Sequence, residues 1–442
     1  ECQGLGSHGS GALPGNCLAA VGGLLEIAEG LGTARPRVVR FTPGSGLKFD
    51  RLFFGVLTCF LLSGFAALLF QTAWTRQFAF VFGTSELAIA TVLAAYMGGL
   101  SLGAAVAGRL AHRIRRPILV YGLLELGVGL SALFMPFAIS ATTALARVWF
   151  GSVDAPPDAS GMGLGLFYLG CSFLVLLVPT AFMGATLPLL ARYAVRRDDQ
   201  IGGRIGALYA TNTVGAIFGT LIAGFWLLPA LGLSRTIYTG VAVNFLVFLV
   251  AAGLARSMAT PARSATPAAP RFAWQRYDSI LPLILLSGIT SFAYEVLWTR
   301  LISQILGSSV YAFSSMLASF LAGIAIGSAV AARYASTRTH AISGFGAAQV
   351  GIAFFSVAAF ACLDFLPWLV VAAQTDVVGG VRPSDVGIVI ALLLPSTFAI
   401  GATFPFAVRI TARGESDAGS ATARVYAWNT LGSMVGAREC TA

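Results

Sequence analysis

Stretches of about 20 apolar residues with few or no charges recur along this chain, each long enough to cross the ~30 Å hydrocarbon core of a bilayer as a helix. They fall at 52–73, 84–107, 117–140, 163–191, 205–229 and 234–254, then at 280–298, 309–332, 341–371 and 386–408, with the start of another at 423–437. In lipid every backbone N–H and C=O needs a partner within its own segment, so such a chain is expected to be all-α, with ten complete spans and a truncated eleventh. Composition agrees. Of the 442 residues, 57% are hydrophobic and 10% charged, where a soluble domain carries about 25% charged residues. The first partner this implies is the lipid bilayer itself.

The net charge of +10 does not point to nucleic acid, because the basic residues sit in short clusters between apolar runs and not along one helix face. Lys48 is the only lysine; the rest are arginines. Six cysteines (Cys2, Cys17, Cys59, Cys171, Cys362, Cys440) show no CxxC and no regular spacing, and two of the three histidines (His112, His340) stand in basic loops. No metal site, cofactor or catalytic set is expected from them.

Arginine placement sets an expected orientation. Arg109, Arg113, Arg115 and Arg116 follow the second span, Arg192, Arg196, Arg197 and Arg204 the fourth, and Arg256, Arg263, Arg271 and Arg276 the sixth, while alternate loops hold mainly single arginines. The N-terminus and the Pro/Ala/Ser/Arg-rich stretch 255–279 are thereby expected on the cytoplasmic side. The organisation that follows is a disordered or artefactual lead at 1–50, a six-helix repeat at 51–254, a linker at 255–279 and a truncated helical repeat at 280–442.

The two halves repeat each other residue by residue. Ser63-Gly-Phe-Ala-Ala-Leu-Leu-Phe-Gln-Thr-Ala-Trp-Thr-Arg76 aligns with Ser287-Gly-Ile-Thr-Ser-Phe-Ala-Tyr-Glu-Val-Leu-Trp-Thr-Arg300, Pro179–Arg192 with Pro395–Arg409, and Tyr209–Gly219 with Tyr426–Gly436. An even number of spans per unit inserts both copies the same way up, which makes them parallel repeats related by an axis along the membrane normal.

SGFAALLFQTAWTR, VLAAYMGGLSLGAAVAGRLA and GLLELGVGL resemble the membrane region of fused major-facilitator/spermidine-synthase proteins, over about residues 52–437. The resemblance implies a major-facilitator-like fold, a transporter-like role in the cytoplasmic membrane, and a neighbouring aminopropyltransferase domain. No strand followed by a Gly-rich loop and acidic residues occurs in this chain. It is therefore expected not to be an enzyme itself, with that domain a partner or an absent continuation.

Carboxyls inside apolar spans are the leading candidates for function. Glu125 and Glu295 would each cost roughly 2.5–3.5 kcal/mol as ionised groups at bilayer depth, so they face a cavity, an ion or a partner, or serve as buried structural carboxyls. The repeat pairs Glu125 with Gln349 and Glu295 with Gln71, which suits a cavity for a polyamine or other small cation, or for protons. Trp74, Arg76, Trp298 and Arg300 read as an aromatic belt with snorkelling arginines, or as a gate. Pro179, Gly184 and Pro188, with Pro395, Gly401 and Pro405, are expected to interrupt the fourth and tenth spans. Tyr209, Asn212, Tyr426 and Asn429 are expected to hydrogen-bond between helices.

Overall fold

The computed structural model describes residues 51–82, 86–150, 162–257, 276–306, 310–373 and 382–439. The lead 1–50 and most of the linker lie outside the described residues. The long helices are α1 (Arg51–Phe82), α2 (Glu86–Leu110), α3 (Pro117–Phe150), α4 (Met162–Ala194), α5 (Ile201–Ile222) and α6 (Leu228–Ser257). The second half follows with α7 (Leu281–Leu306), α8 (Val310–Tyr334), α9 (Arg338–Ala361), α10 (Pro383–Thr411) and α11 (Ala418–Glu439). The described residues are helices and their connections throughout.

Nine described segments are long and apolar enough to cross a membrane, so the protein is an integral membrane protein. One of them, Asp198–Arg256, has 59 residues. At 1.5 Å per residue it would extend about 88 Å if straight, nearly three bilayer cores, so it makes two crossings. The reversal comes at Gly232, whose φ of 75° and ψ of 176° break the helix. Just before it, Ala223–Leu227 forms a π turn, a feature absent from the sequence reading. The apolar run 341–371 is likewise not one helix: α9 stops at Ala361 and a separate short helix spans Leu366–Ala372.

Helices gain little from the hydrophobic effect when the surrounding solvent is itself apolar, so close packing through small residues replaces it. Gly215 and Gly219 of α5 lie against the main chain of α1 at Leu61 and Phe65, and Gly432 and Gly436 of α11 lie against that of α7 at Leu285 and Ile289. Gly184 of α4 meets Leu100 of α2, and Gly401 of α10 meets Ile324 of α8. Each contact in one half has its counterpart at the matching residue of the other.

The same rule builds the seam between halves. Gly206 of α5 packs on Ala332 of α8, and Gly108 of α2 packs on Ala423 of α11. Ser328 Oγ donates to the Gly206 carbonyl at 3.3 Å and Ser101 Oγ to the Ala427 carbonyl at 2.8 Å. Two parallel helical units, joined through α5–α8 and α2–α11, make the fold.

The prolines do not interrupt their helices. α4 runs through Pro179 and Pro188, and α10 through Pro395 and Pro405. Neighbouring hydroxyls donate to carbonyls of the same helices: Thr180 Oγ1 to that of Leu176 at 2.6 Å and Thr397 Oγ1 to that of Leu393 at 2.8 Å. Tolerance of proline in a membrane helix depends on such local and neighbouring groups.

Gly232 gives a clean test, because no described atom lies within 4 Å of where a Cβ would sit. Gly232→Ala therefore reports backbone strain alone and is expected to cost about 1–3 kcal/mol. Gly170→Ala, at a helical glycine that is equally open, is expected to gain about 0.5–1 kcal/mol. Thermal unfolding of the two variants in the same detergent checks both signs.

Candidate functional site

Glu125 is 2% exposed, about a quarter of the way along α3. Ser63 Oγ of α1 donates to its Oε1 at 2.6 Å, and Asn244 Nδ2 of α6 donates to its Oε2 at 3.3 Å and to its carbonyl at 3.1 Å. Asn244 is itself buried, and its Oδ1 has no partner among the described residues. All three side chains belong to the first half. Two neutral donors hold the carboxyl where α1, α3 and α6 meet, an arrangement that fixes the register of three helices in lipid.

Glu295 is placed differently. It is half-buried on α7 and lies within electrostatic reach of Tyr209 on α5, across the seam. The Tyr209 ring stacks on Phe404 of α10 with centroids 4.4 Å apart and planes 22° apart. Tyr426 of α11 meets the same Phe404 edge-on at 6.1 Å, and Tyr96 of α2 is in turn within electrostatic reach of Tyr426. A carboxyl and a group of aromatic rings, drawn from both halves, thus share the seam. Gln71, the repeat counterpart of Glu295, is buried on α1, and Gln349, that of Glu125, is half-buried on α9. Gln71 lies eight residues along α1 from Ser63, about 12 Å of helix rise. The four residues that the repeat pairs are therefore not one set: Glu125 is held inside the first half and Glu295 stands at the seam.

The basic face of the molecule carries a second charged arrangement. Arg409, at the end of α10 with its side chain 8% exposed, donates to Asp198 Oδ2 at 2.9 Å, and Asp198 belongs to the first half. Arg424 pairs with Asp417 at 3.1 Å and with Asp278 at 3.7 Å. Arg204 Nη1 donates to the Ala194 carbonyl at 2.8 Å, its guanidinium 4.9 Å from the Phe53 ring centroid. These contacts tie the ends of α4, α7, α10 and α11 together on one side of the bilayer.

Other expected positions resolve individually. Trp74 is 1% exposed and stacks on Phe70 at 5.1 Å, and Trp298 is 6% exposed. Neither is a lipid-facing belt residue, because each packs into the core of its own half. Arg76 is exposed and Arg300 half-buried. Asn212 Nδ2 of α5 donates to the Phe60 carbonyl of α1 at 3.0 Å, and the Asn429 carbonyl of α11 lies against Gly288 of α7. Sequence reading missed Ser63, Asn244, Phe404 and the Asp198–Arg409 pair. Asn244 is the one amide in an otherwise apolar stretch, 234–254, and that was the signal available for it.

The Glu125 cluster predicts an asymmetry. Asn244→Leu removes a donor from a buried carboxyl oxygen and is expected to cost about 1–3 kcal/mol. Glu125→Gln keeps an acceptor for Ser63 and turns an N–H toward Asn244, which then keeps only one of its two bonds to residue 125, so it is expected to cost about 0.5–1.5 kcal/mol, the net worth of one hydrogen bond. Thermal or denaturant unfolding of the purified variants separates the two.

No protein-family model matches the chain, and no curated protein matches it. Among solved structures it is similar to a bacterial homologue of the iron transporter ferroportin, in an outward-facing state with soaked iron, at 13% identity over 88% of this chain and 91% of that one, with a TM-score of 0.54. A D-xylose–proton symporter matches at 14% identity over 88% and 90% of the two chains, with a TM-score of 0.46. The likeness to the first shows the fold alone, all-helical and major-facilitator-like.

Proposed function

We propose that this chain is a membrane transport module that handles a small organic cation, a polyamine being the type case. One observation carries the reading: Glu295 of α7 lies within electrostatic reach, across the seam between the halves, of Tyr209, whose ring stacks on Phe404, with Tyr426 edge-on to the same ring. A carboxylate supplies counter-charge, and aromatic faces attract alkylammonium groups by about 0.5–2 kcal/mol each. Placement between two parallel halves is where transporters of this architecture hold their solutes. The ferroportin homologue raises iron as a rival cargo. Among the described residues no three of His, Cys, Asp and Glu come together as a metal site, so the donor set favours an organic cation.

The arginine distribution supports a cytoplasmic membrane location with the N-terminus inside. A second reading rests on the motif resemblance: the helices serve as an anchor or substrate-feeding platform for a spermidine synthase-like domain encoded with or beside them. The two differ in whether solute crosses.

Reconstituted in proteoliposomes, the protein is expected to take up radiolabelled spermidine. Glu295→Gln is expected to lower uptake at least tenfold, and Phe404→Leu by about 2–30-fold from the lost ring contact. Uptake unchanged in Glu295→Gln removes the cation site. Absence of any uptake by the unaltered protein favours the anchor.

A further inference from the structure

Glu125 is a buried carboxyl without a counter-charge. It lies two turns into α3, about 12 Å of helix rise from the basic face. Among the described residues no arginine or lysine pairs with it. An ionised carboxyl at such a depth is costly unless a positive charge accompanies it.

Its surroundings hold more polar atoms than its hydrogen bonds use. Tyr121, one turn earlier on α3, is 1% exposed, and its Oη comes near Glu125 and Ser63 without a hydrogen bond of ordinary geometry. Asn244 of α6 is also 1% exposed, with Oδ1 unpartnered among the described residues. Its Nδ2 bridges two oxygens of Glu125, at 3.1 Å from the main-chain carbonyl and 3.3 Å from Oε2. Turning the amide over puts Oδ1 at those distances from the same two atoms. Three oxygens so placed repel one another unless a cation lies between them. Around an ion bound at about 2.3–2.6 Å, neighbouring oxygens of an octahedron stand about 3.3–3.7 Å apart, close to this triangle.

We infer that Glu125 Oε2, the Glu125 carbonyl, Asn244 Oδ1 and Tyr121 Oη form a site for one Na+ ion. Ser63, donating to Oε1 at 2.6 Å, holds the carboxylate in place. Charge selects the valence, because one carboxylate balances one positive charge and a divalent ion would leave the second unpaired in the interior. Size selects Na+ over K+, whose longer bonds would force the triangle apart. Among the described residues no three of His, Cys, Asp and Glu come together, so the donors suit a hard ion and not a transition metal. A proton on Oε2 would satisfy Asn244 Oδ1 alone and leave Tyr121 Oη bare. The site joins α1, α3 and α6 within the first half, apart from Glu295, and stands whether or not the seam carries solute.

Thermal unfolding of the purified protein in matched NaCl and KCl at one pH, with equilibrium dialysis against radioactive sodium, tests the site. Na+ is expected to raise the melting temperature saturably and further than K+, with one ion bound per chain. Tyr121→Phe keeps the ring and removes one oxygen. It is expected to lower Na+ affinity about tenfold, whereas an idle hydroxyl would leave that affinity unchanged. Glu125→Gln is expected to abolish the Na+ shift and Glu295→Gln to retain it. Equal melting temperatures in the two salts, or a Na+ shift that survives both Glu125→Gln and Tyr121→Phe, would overturn the inference. A shift lost in Glu295→Gln and kept in Glu125→Gln would move the ion to the seam and overturn it. A rise on acidification that replaces the Na+ effect would make the occupant a proton and overturn it equally.

Discussion

Contact between main chains at small residues is what this molecule depends on. Within a bilayer, burying leucine against leucine gains little over leaving it in lipid, so association rests on van der Waals packing, hydrogen bonds and the shape that allows both. The chain meets this demand with glycines that admit a neighbouring carbonyl: Gly215 and Gly219 on α1, Gly432 and Gly436 on α7, Gly184 on α2, Gly401 on α8. The helix pairs they create are the same in each half. The seam reuses the device at Gly206–Ala332 and Gly108–Ala423, so the joint between halves follows the packing rule of the halves themselves.

Polar groups then divide into two kinds by where this packing leaves them. Glu125 is enclosed by Ser63 and Asn244 in the interior of one half, and its bonds set the register of three helices. Glu295 stands on α7 within electrostatic reach of Tyr209 across the seam, and Tyr209 stacks on Phe404 of the other half. The same residue type thus meets different surroundings, one bonded within a single half and one near the seam. On the basic face, Asp198 and Arg409 join the halves by a bond that either half can leave. An ion pair of which one member is 57% exposed is worth about 1 kcal/mol or less. It can hold a closed seam without making it permanent.

Much of this was legible in the residues. The spans, the parallel duplication and the register of the halves follow from apolar periodicity and from the alignment of Ser63–Arg76 with Ser287–Arg300. The positions of side chains around a helix were not, and two expectations failed for that reason. Trp74 comes just after the apolar run 52–73, yet its ring packs in the core against Phe70. Glu125 and Gln349 are counterparts expected to share a cavity, yet Glu125 is bonded by Ser63 and Asn244 within the first half and Gln349 stands half-buried on α9. The prolines of α4 and α10 were read as breaks because proline costs a soluble helix about 3 kcal/mol. In the tight setting of α2 and α8, with Thr180 and Thr397 bonding back to their own helices, the helical path is kept. Gly232 carried no signal beyond being one glycine among 51, because its positive φ depends on how α5 and α6 fold back against each other.

A transport module of this design must open and close at the basic face, whereas an anchor need not. Spin labels at Asp199 and Ser416, which are exposed repeat counterparts flanking the Asp198–Arg409 contact, measure that opening directly by pulsed dipolar spectroscopy in nanodiscs. Two distance populations whose ratio shifts on adding spermidine, and shifts again in Asp198→Asn, are the signature of halves that move against each other. One distance, unchanged by spermidine and by Asp198→Asn, would contradict it.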